Sequence, residues 1–377
     1  MKTSTFLMAA GLAASSAAVP MMNVTARFNV ANQDSSNVGA SDVNILQFAL
    51  TLEHLEAAFY LEAAAKFSAN DFSPFNIPDL YNDVLRLARD EAVHVNILTA
   101  VLDGLNQPAP ATCKYSFPYT SAAEFLRLAA IIEGVGVSAY AGASTSVRDP
   151  AVLTMAAGIL PVEARHDAIL RAASGVAPYA SPFDTPLDFN QVWSLASQFI
   201  VPGSCPDDYT LLHLSAFPRL ALTAPTDGAP LKPGQNITLT ASADASEKKR
   251  HAPLHRRHGG PGARRAAHMH ERRFDNNVHA AFLTVQGAIL MDTVQNGDTV
   301  STTVPEGVAG QVYVILVRGD HDVTDANTLA GPAILEVVDK VDALNGFEAG
   351  EGEADEAESD DEDSEGAELV GRCVEAS

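Results

Sequence analysis

Glu91-Ala-Val-His94 and Glu163-Ala-Arg-His166 repeat one spacing, a glutamate followed three residues later by a histidine, inside two strongly helical segments. Residues 1–215 hold only four histidines, His54, His94, His166 and His213. Independent placement would put two of them at that spacing in roughly one comparable sequence per hundred. Read at helical steps of three and four, Val84, Leu87, Glu91, His94, Leu98 and Val101 share one stripe, and Ala156, Ile159, Glu163, His166, Leu170 and Ala173 another. Both Glu-His pairs therefore lie on apolar, core-facing stripes. A carboxylate in such a place costs several kcal/mol unless it is paired or binds metal, so the fold must bring these acids to partners.

Two further helical segments match each other in the same register. Leu46, Ala49, Glu53, Glu56, Tyr60 and Ala63 align with Leu126, Ala129, Glu133, Gly136, Tyr140 and Ala143. Residues 41–105 and 120–173 thus read as two copies of one helical hairpin. Glu53, Glu91, Glu133 and Glu163 each fall about 12–14 residues into their helices, which in an antiparallel bundle puts all four at mid-height. Four carboxylates and two imidazoles at one level suit two divalent ions roughly 3.5–4 Å apart. Oxygen and nitrogen donors without thiolate favour iron or manganese over copper(I). The expected ligands are Glu53, Glu91, His94, Glu133, Glu163 and His166.

The neighbours of this set carry open alternatives. Glu56 is an alternative ligand to Glu53, an acid behind the ligands, or a polar edge position; Glu53 is preferred because only it has the Glu133 counterpart. Tyr60 and Tyr140 sit two turns from Glu53 and Glu133, where a phenol could hydrogen-bond a ligand carboxylate or simply fill the core. They are the candidate catalytic side chains. Gly134 and Gly136 either leave space for a small substrate or permit close helix packing. His54 and His213 read as structural.

Caps and breakers set the boundaries. The first helix starts at Ser41 and runs to about Ser68; the second follows Pro78-Asp79 and ends near Gly104. The third has a capping box of Thr120 or Ser121 with Glu124, and the fourth opens on Asp149-Pro150. A shorter helix at 188–200 closes the bundle, which spans 41–215. The stretch NQPAPATCKYSFPY between the second and third helices spans roughly 45 Å when extended, enough to run back along a helix of roughly 40 Å. From 216 to 345 the segments RLALT, NITLTAS, HAAFLTV, TVSTTV, QVYVILV and AILEVV alternate as strands of a small antiparallel β-sandwich. Its default reading is a structural or adhesive module.

The remaining segments suggest export. Residues 1–18 read as a signal peptide, with Lys2 ahead of a short apolar run and Ala18 at the cleavage position, and 19–40 as a linker. Asn23, if retained, and Asn236 lie in glycosylation sequons. Of the three cysteines, Cys113 and Cys205 flank the bundle in loops and are expected to form a disulfide closing a loop near 90 residues, leaving Cys373 as the odd thiol. The net charge of −23 is concentrated: residues 348–368 hold twelve acidic side chains and no basic one, so 346–377 reads as a disordered tail. The insert at 248–273 is basic and His-rich, reads as a long surface loop, and carries dibasic pairs open to nicking. No stretch beyond the leader reaches about 18 uncharged apolar residues, so no membrane span is expected. Nucleic acid is not among the expected partners.

Glu53 with Tyr60, Glu91-x-x-His94, Glu133 with Tyr140 and Glu163-x-x-His166 resemble the ligand set of the ferritin-like superfamily, as in bacterioferritins, rubrerythrins and manganese catalases. The stretch DEAVHVNILTAVLDGLNQ resembles a second bundle helix of that group. The leader and the strand AGPAILEV resemble secreted fungal ferritin-like proteins described as late sexual development or stress-response proteins, and the helical part is similar to plant desiccation-related proteins. The resemblance implies a four-helix bundle with two iron or manganese ions acting on peroxide or dioxygen. The alternative it leaves is a non-enzymatic stress or developmental cell-wall protein with a structural or vestigial metal site. Either way, the expected location is extracellular or the cell wall.

Overall fold

The structure, a computed structural model, describes residues 40–75, 77–205, 214–242, 277–320 and 323–338. The expected leader, the linker as far as residue 39, Asn23, His213, the basic insert, the acidic tail and Cys373 lie outside them. Four long helices form the bundle: α1 (Ala40–Lys66), α3 (Leu80–Gly104), α4 (Ala122–Ala143) and α5 (Pro150–Ala173), with a single turn α2 (Ala69–Phe72) after α1. α6 (Phe189–Ala196) follows and passes into a 3-10 turn at Ser197–Phe199. Local chemistry sets the starts. Asp149 accepts N–H bonds from Ala151 and Val152 ahead of Pro150, and Ser121 and Glu124 form a reciprocal box. Pro161 lies inside α5 without breaking it.

The connection from α3 to α4 explains the bundle's topology. Gln47 donates to the Pro108 carbonyl at 2.8 Å, His54 Nε2 lies 3.0 Å from the Pro110 carbonyl, and Lys66 donates to the Tyr119 carbonyl at 2.7 Å. The segment therefore climbs the length of α1 before α4 begins. Consequently α1 and α5 start at the same end, where buried Asp42 accepts the Arg148 and Asp149 N–H groups at 2.9 and 3.1 Å. Cys113 of this connection is disulfide-bonded to Cys205, 92 residues away, and Tyr115 bridges to Ile200. Two apolar layers fill the bundle. Phe59, Leu87, Phe125 and Leu126 belong to one, and Leu46, Leu50, Leu98, Leu102 and Met155 to the other.

Among the described residues, eight strands make two four-stranded antiparallel sheets: β1 (Arg219–Ala224), β2 (Asn236–Ser242), β3 (Val278–Thr284), β4 (Gly287–Asp292), β5 (Val294–Asn296), β6 (Thr299–Thr303), β7 (Gly310–Arg318) and β8 (Thr328–Val337). The orders are β1-β2-β6-β5 and β4-β3-β7-β8. Six strands were expected. The hairpin partner β4 and the short β5 escape the sequence pattern because their residues are half-buried or exposed, with no clean alternation. Val312, Val314 and Leu316 of β7 face the sandwich interior with Phe282, Leu239 and Leu335. Tyr313, Ile315 and Val317 face the other way, packing with Phe48, Val135, Leu187, Val192 and Leu195 of the helical part. That two-sided burial is why QVYVILV is a continuous apolar run while NITLTAS alternates.

Arg171 on α5 locks the same junction. Its guanidinium is bidentate to Glu336 of β8 at 2.7 and 3.1 Å, and its Nε donates to the Ala177 carbonyl at 2.8 Å. Among the described residues no helix is long and apolar enough to cross a membrane. Asn236 is exposed at the start of β2, its side-chain oxygen accepting from Thr303 at 2.9 Å.

Candidate metal centre

The four long helices each bring a glutamate to one buried level: Glu53 from α1, Glu91 from α3, Glu133 from α4 and Glu163 from α5, all at most 1% exposed. Because α3 and α5 add a histidine one turn on, His94 and His166 join them, with ring centroids 6.4 Å apart. The donor atoms fall into two overlapping sets. Glu53, Glu91, His94 and Glu163 form one, and Glu91, Glu133, Glu163 and His166 the other, each within 4.8 Å. Glu91 and Glu163 belong to both sets, whereas each histidine and each remaining glutamate belongs to one. The two sets together contain Glu53, Glu91, His94, Glu133, Glu163 and His166, and Glu56 of α1 is in neither.

The donors face a common space more than each other. His94 Nδ1 is 3.1 Å from both Glu91 and Glu163 and 3.3 Å from Glu53; His166 Nδ1 is 2.9 Å from Glu91 and 3.3 Å from Glu133. Yet Glu53 Oε2, Glu91 Oε1, Glu133 Oε2, both Glu163 oxygens and His166 Nδ1 have no hydrogen bond of acceptable direction. Close approach without alignment is what inward-pointing ligand atoms give, and buried acceptors left this way are costly. Divalent cations would supply the missing partner, so the residues fit such ions.

Protonation follows from the crowding. Burial, then Glu91 and Glu133, push Glu163 well above the usual carboxylate range; burial and Glu133 push Glu91 up to about 7. Burial opposes a charge on either histidine, but the carboxylates prevail, so His94 is raised and His166 reaches about 10. Metal binding would have to displace these protons.

The tyrosines are exchanged between the hairpins. Tyr60 of α1 donates to Glu133 of α4, and Tyr140 of α4 donates to Glu53 of α1 at 2.5 Å. Each phenol therefore serves the other hairpin's glutamate, which spacing along one helix could not reveal. Burial and those carboxylates raise both phenols well above their ordinary value, keeping them as donors.

The two glycines separate the two readings open for them. A Cβ on Gly136 would stand 3.0 Å from Glu56 and 3.3 Å from Glu163, so this glycine makes room at the centre. A Cβ on Gly134 would stand 2.6 Å from Gln311 of β7, so that glycine serves packing against the sandwich. Glu56 is buried, and burial followed by Glu53, Glu91 and Glu133 raises its carboxyl well above the normal range. Apolar cavities of about 40 and about 120 Å³ are each lined by Glu56 and Gly136.

Sequence reasoning passed over several participants. Asp90 places Oδ2 3.6 Å from the outer nitrogen of His166, and its only signal is its position directly before Glu91. Tyr313 of β7 donates to the Gly134 carbonyl and lies 2.9 Å from Ser138. No local pattern marks a strand tyrosine as a support for a bundle helix.

Known proteins resemble part of this chain. The family model described as a ferritin-like domain matches residues 41–176. Protein rds1 of Schizosaccharomyces pombe (strain 972 / ATCC 24843) is 29% identical over 185 residues, covering 49% of this chain and 45% of that protein. Desiccation-related protein PCC13-62 of Craterostigma plantagineum is 26% identical over 173 residues, covering 37% of this chain and 55% of that one. The chain thus spans about half the length of these relatives. A solved structure of a conserved hypothetical protein, rv2844, from Mycobacterium tuberculosis aligns at a TM-score of 0.31 with 21% identity, covering 38% of this chain and 98% of that one, too slight a likeness to add weight. The paired Glu-His helices, the climbing connection and the family match agree: residues 41–176 of this chain are a ferritin-like domain.

Proposed function

We propose that the bundle holds a dinuclear iron or manganese centre that acts on peroxide or dioxygen. The observation that carries this reading is the overlap of the two donor sets at Glu91 and Glu163. Glu53 and His94 would serve one ion, Glu133 and His166 the other, and the two shared glutamates both. Such ions supply redox change and a binding position for an O–O unit. The chain's own residues do the rest. Tyr60 and Tyr140 orient Glu133 and Glu53, and the buried Glu56 carboxyl stands beside Gly136. The apolar lining of the cavities at that point suits a small uncharged oxidant.

Export to the cell exterior or wall is part of this reading, supported by the N-terminal apolar run and by the Cys113–Cys205 disulfide. A role in stress draws on the desiccation-related relative. The competing reading, a metal-clamped scaffold without turnover, draws on the near-complete burial of all four glutamates. Elemental analysis of the natively produced protein tests the centre, with about two ions per chain expected. Protein from iron- and manganese-replete medium that carries neither metal would end the proposal. Bound metal whose spectrum ignores peroxide and dioxygen would leave the scaffold.

A further inference from the structure

A cleft of about 650 Å³ opens between α5, the loop following it and the sandwich, and none of the six clustered donors lines it. Its volume is that of an ordinary ligand site. Tyr179 and Phe183, the two aromatic side chains left largely in solvent among the described residues, both line it, at 83% and 59% exposure. Every other described aromatic is buried or half-buried. Asp167, Asp184 and, from the β3–β4 turn, Gln286 share the lining, and Asp167 Oδ1 has no hydrogen-bond partner. The buried cation of the cleft, Arg171, is committed to Glu336 and the Ala177 carbonyl, while Arg165 is exposed.

That lining sorts ligands by chemistry. An anionic ligand would find no free buried cation here, because Arg171 is committed to Glu336. A lipid chain would leave the carboxylate and amide groups without donors. A sugar ring satisfies both features, because its C–H face lies flat on an aromatic ring while its hydroxyls donate to carboxylate and amide oxygens. We propose that this cleft binds a neutral saccharide chain, with Tyr179 and Phe183 as stacking platforms and Asp167, Asp184 and Gln286 as hydroxyl acceptors. The proposal is independent of the metal reading.

Calorimetric titration of the full chain with cellohexaose, laminarihexaose and chitohexaose tests it. At least one should bind saturably. Tyr179→Ala and Phe183→Ala should each weaken that binding about three- to tenfold, and the double variant should lose it with its thermal midpoint unchanged. Leu61→Ala, exposed and outside the cleft, should leave the affinity as it was. No saturable binding of any of the three at about 1 mM, or undiminished binding by the double variant, overturns the proposal.

Discussion

The α1/α3 and α4/α5 hairpins present the same donors at the same heights but are supported in different ways. The first is strapped from outside by the climbing connection, through Gln47, His54 and Lys66. The second is backed by a sheet, through Tyr313 and Gln311 on α4 and the Arg171–Glu336 pair on α5. Inside, the two are interchangeable, down to the exchange of tyrosines. The likeness breaks at one aligned pair, Glu56 and Gly136, which face each other. Two glutamates there would crowd a fifth and sixth carboxylate into one apolar space. A duplicated hairpin can therefore be repeated only up to the point where its copies touch.

The sharpest way to break this comparison is at the shared donors. Glu91→Ala and Glu163→Ala, one in each hairpin, should each lower bound metal from about two ions per chain to below one, equally if the hairpins are equivalent. Elemental analysis that finds one variant fully loaded would end the equivalence. Within the first hairpin, Glu53→Ala should lose more metal than Glu56→Ala, and the reverse order would hand the ligand role to Glu56.

Next in size is a pH effect that spans both hairpins. Glu91 of the first is raised to about 7 and His166 of the second to about 10, both above their unfolded values. The native metal-free protein therefore holds extra protons. That stabilisation is present at low pH and is lost as pH rises through about 7 and again toward about 10. Metal binding requires those protons to leave. The thermal midpoint of metal-free protein should fall from about pH 5 to about pH 8 while the gap to the loaded protein widens. A gap that stays constant over that range contradicts the shared protonation.

The smallest effects come from the glycines. Gly136→Ala should destabilise by about 1–3 kcal/mol through overpacking against Glu56 and Glu163, and Glu56→Ala should relieve much of it. Gly134→Ala should cost about 1 kcal/mol by displacing Gln311 from the Ile131 carbonyl. Gln311→Ala should relieve that one, and Glu56→Ala should not. Denaturant midpoints of the double variants decide; relief crossing between the two sites would mean that the inner and outer faces of α4 are not separate.

Much of this architecture is legible without coordinates because it is local. Ser121 with Glu124 and Asp149 with Pro150 start helices through bonds spanning three or four residues. The Glu91–His94 and Glu163–His166 spacings place paired donors on one stripe through helical period alone. Glu53 and Glu133 follow from comparing the two copies. The half-exposed strands β4 and β5 were not legible, since neither period nor burial marks them.

The sequence by itself determined the helices, their apolar stripes, the height of the four acids and the doubling of the hairpin, all consequences of fixed rise and period along one chain. Only the tertiary structure decided that Tyr60 serves Glu133 and Tyr140 serves Glu53, that Glu56 fills the space beside Gly136, and that Gly134 receives Gln311 from a strand 177 residues later in the chain. Those contacts join segments whose relative placement depends on packing the whole bundle against the sheet. No local rule of backbone geometry carries that information.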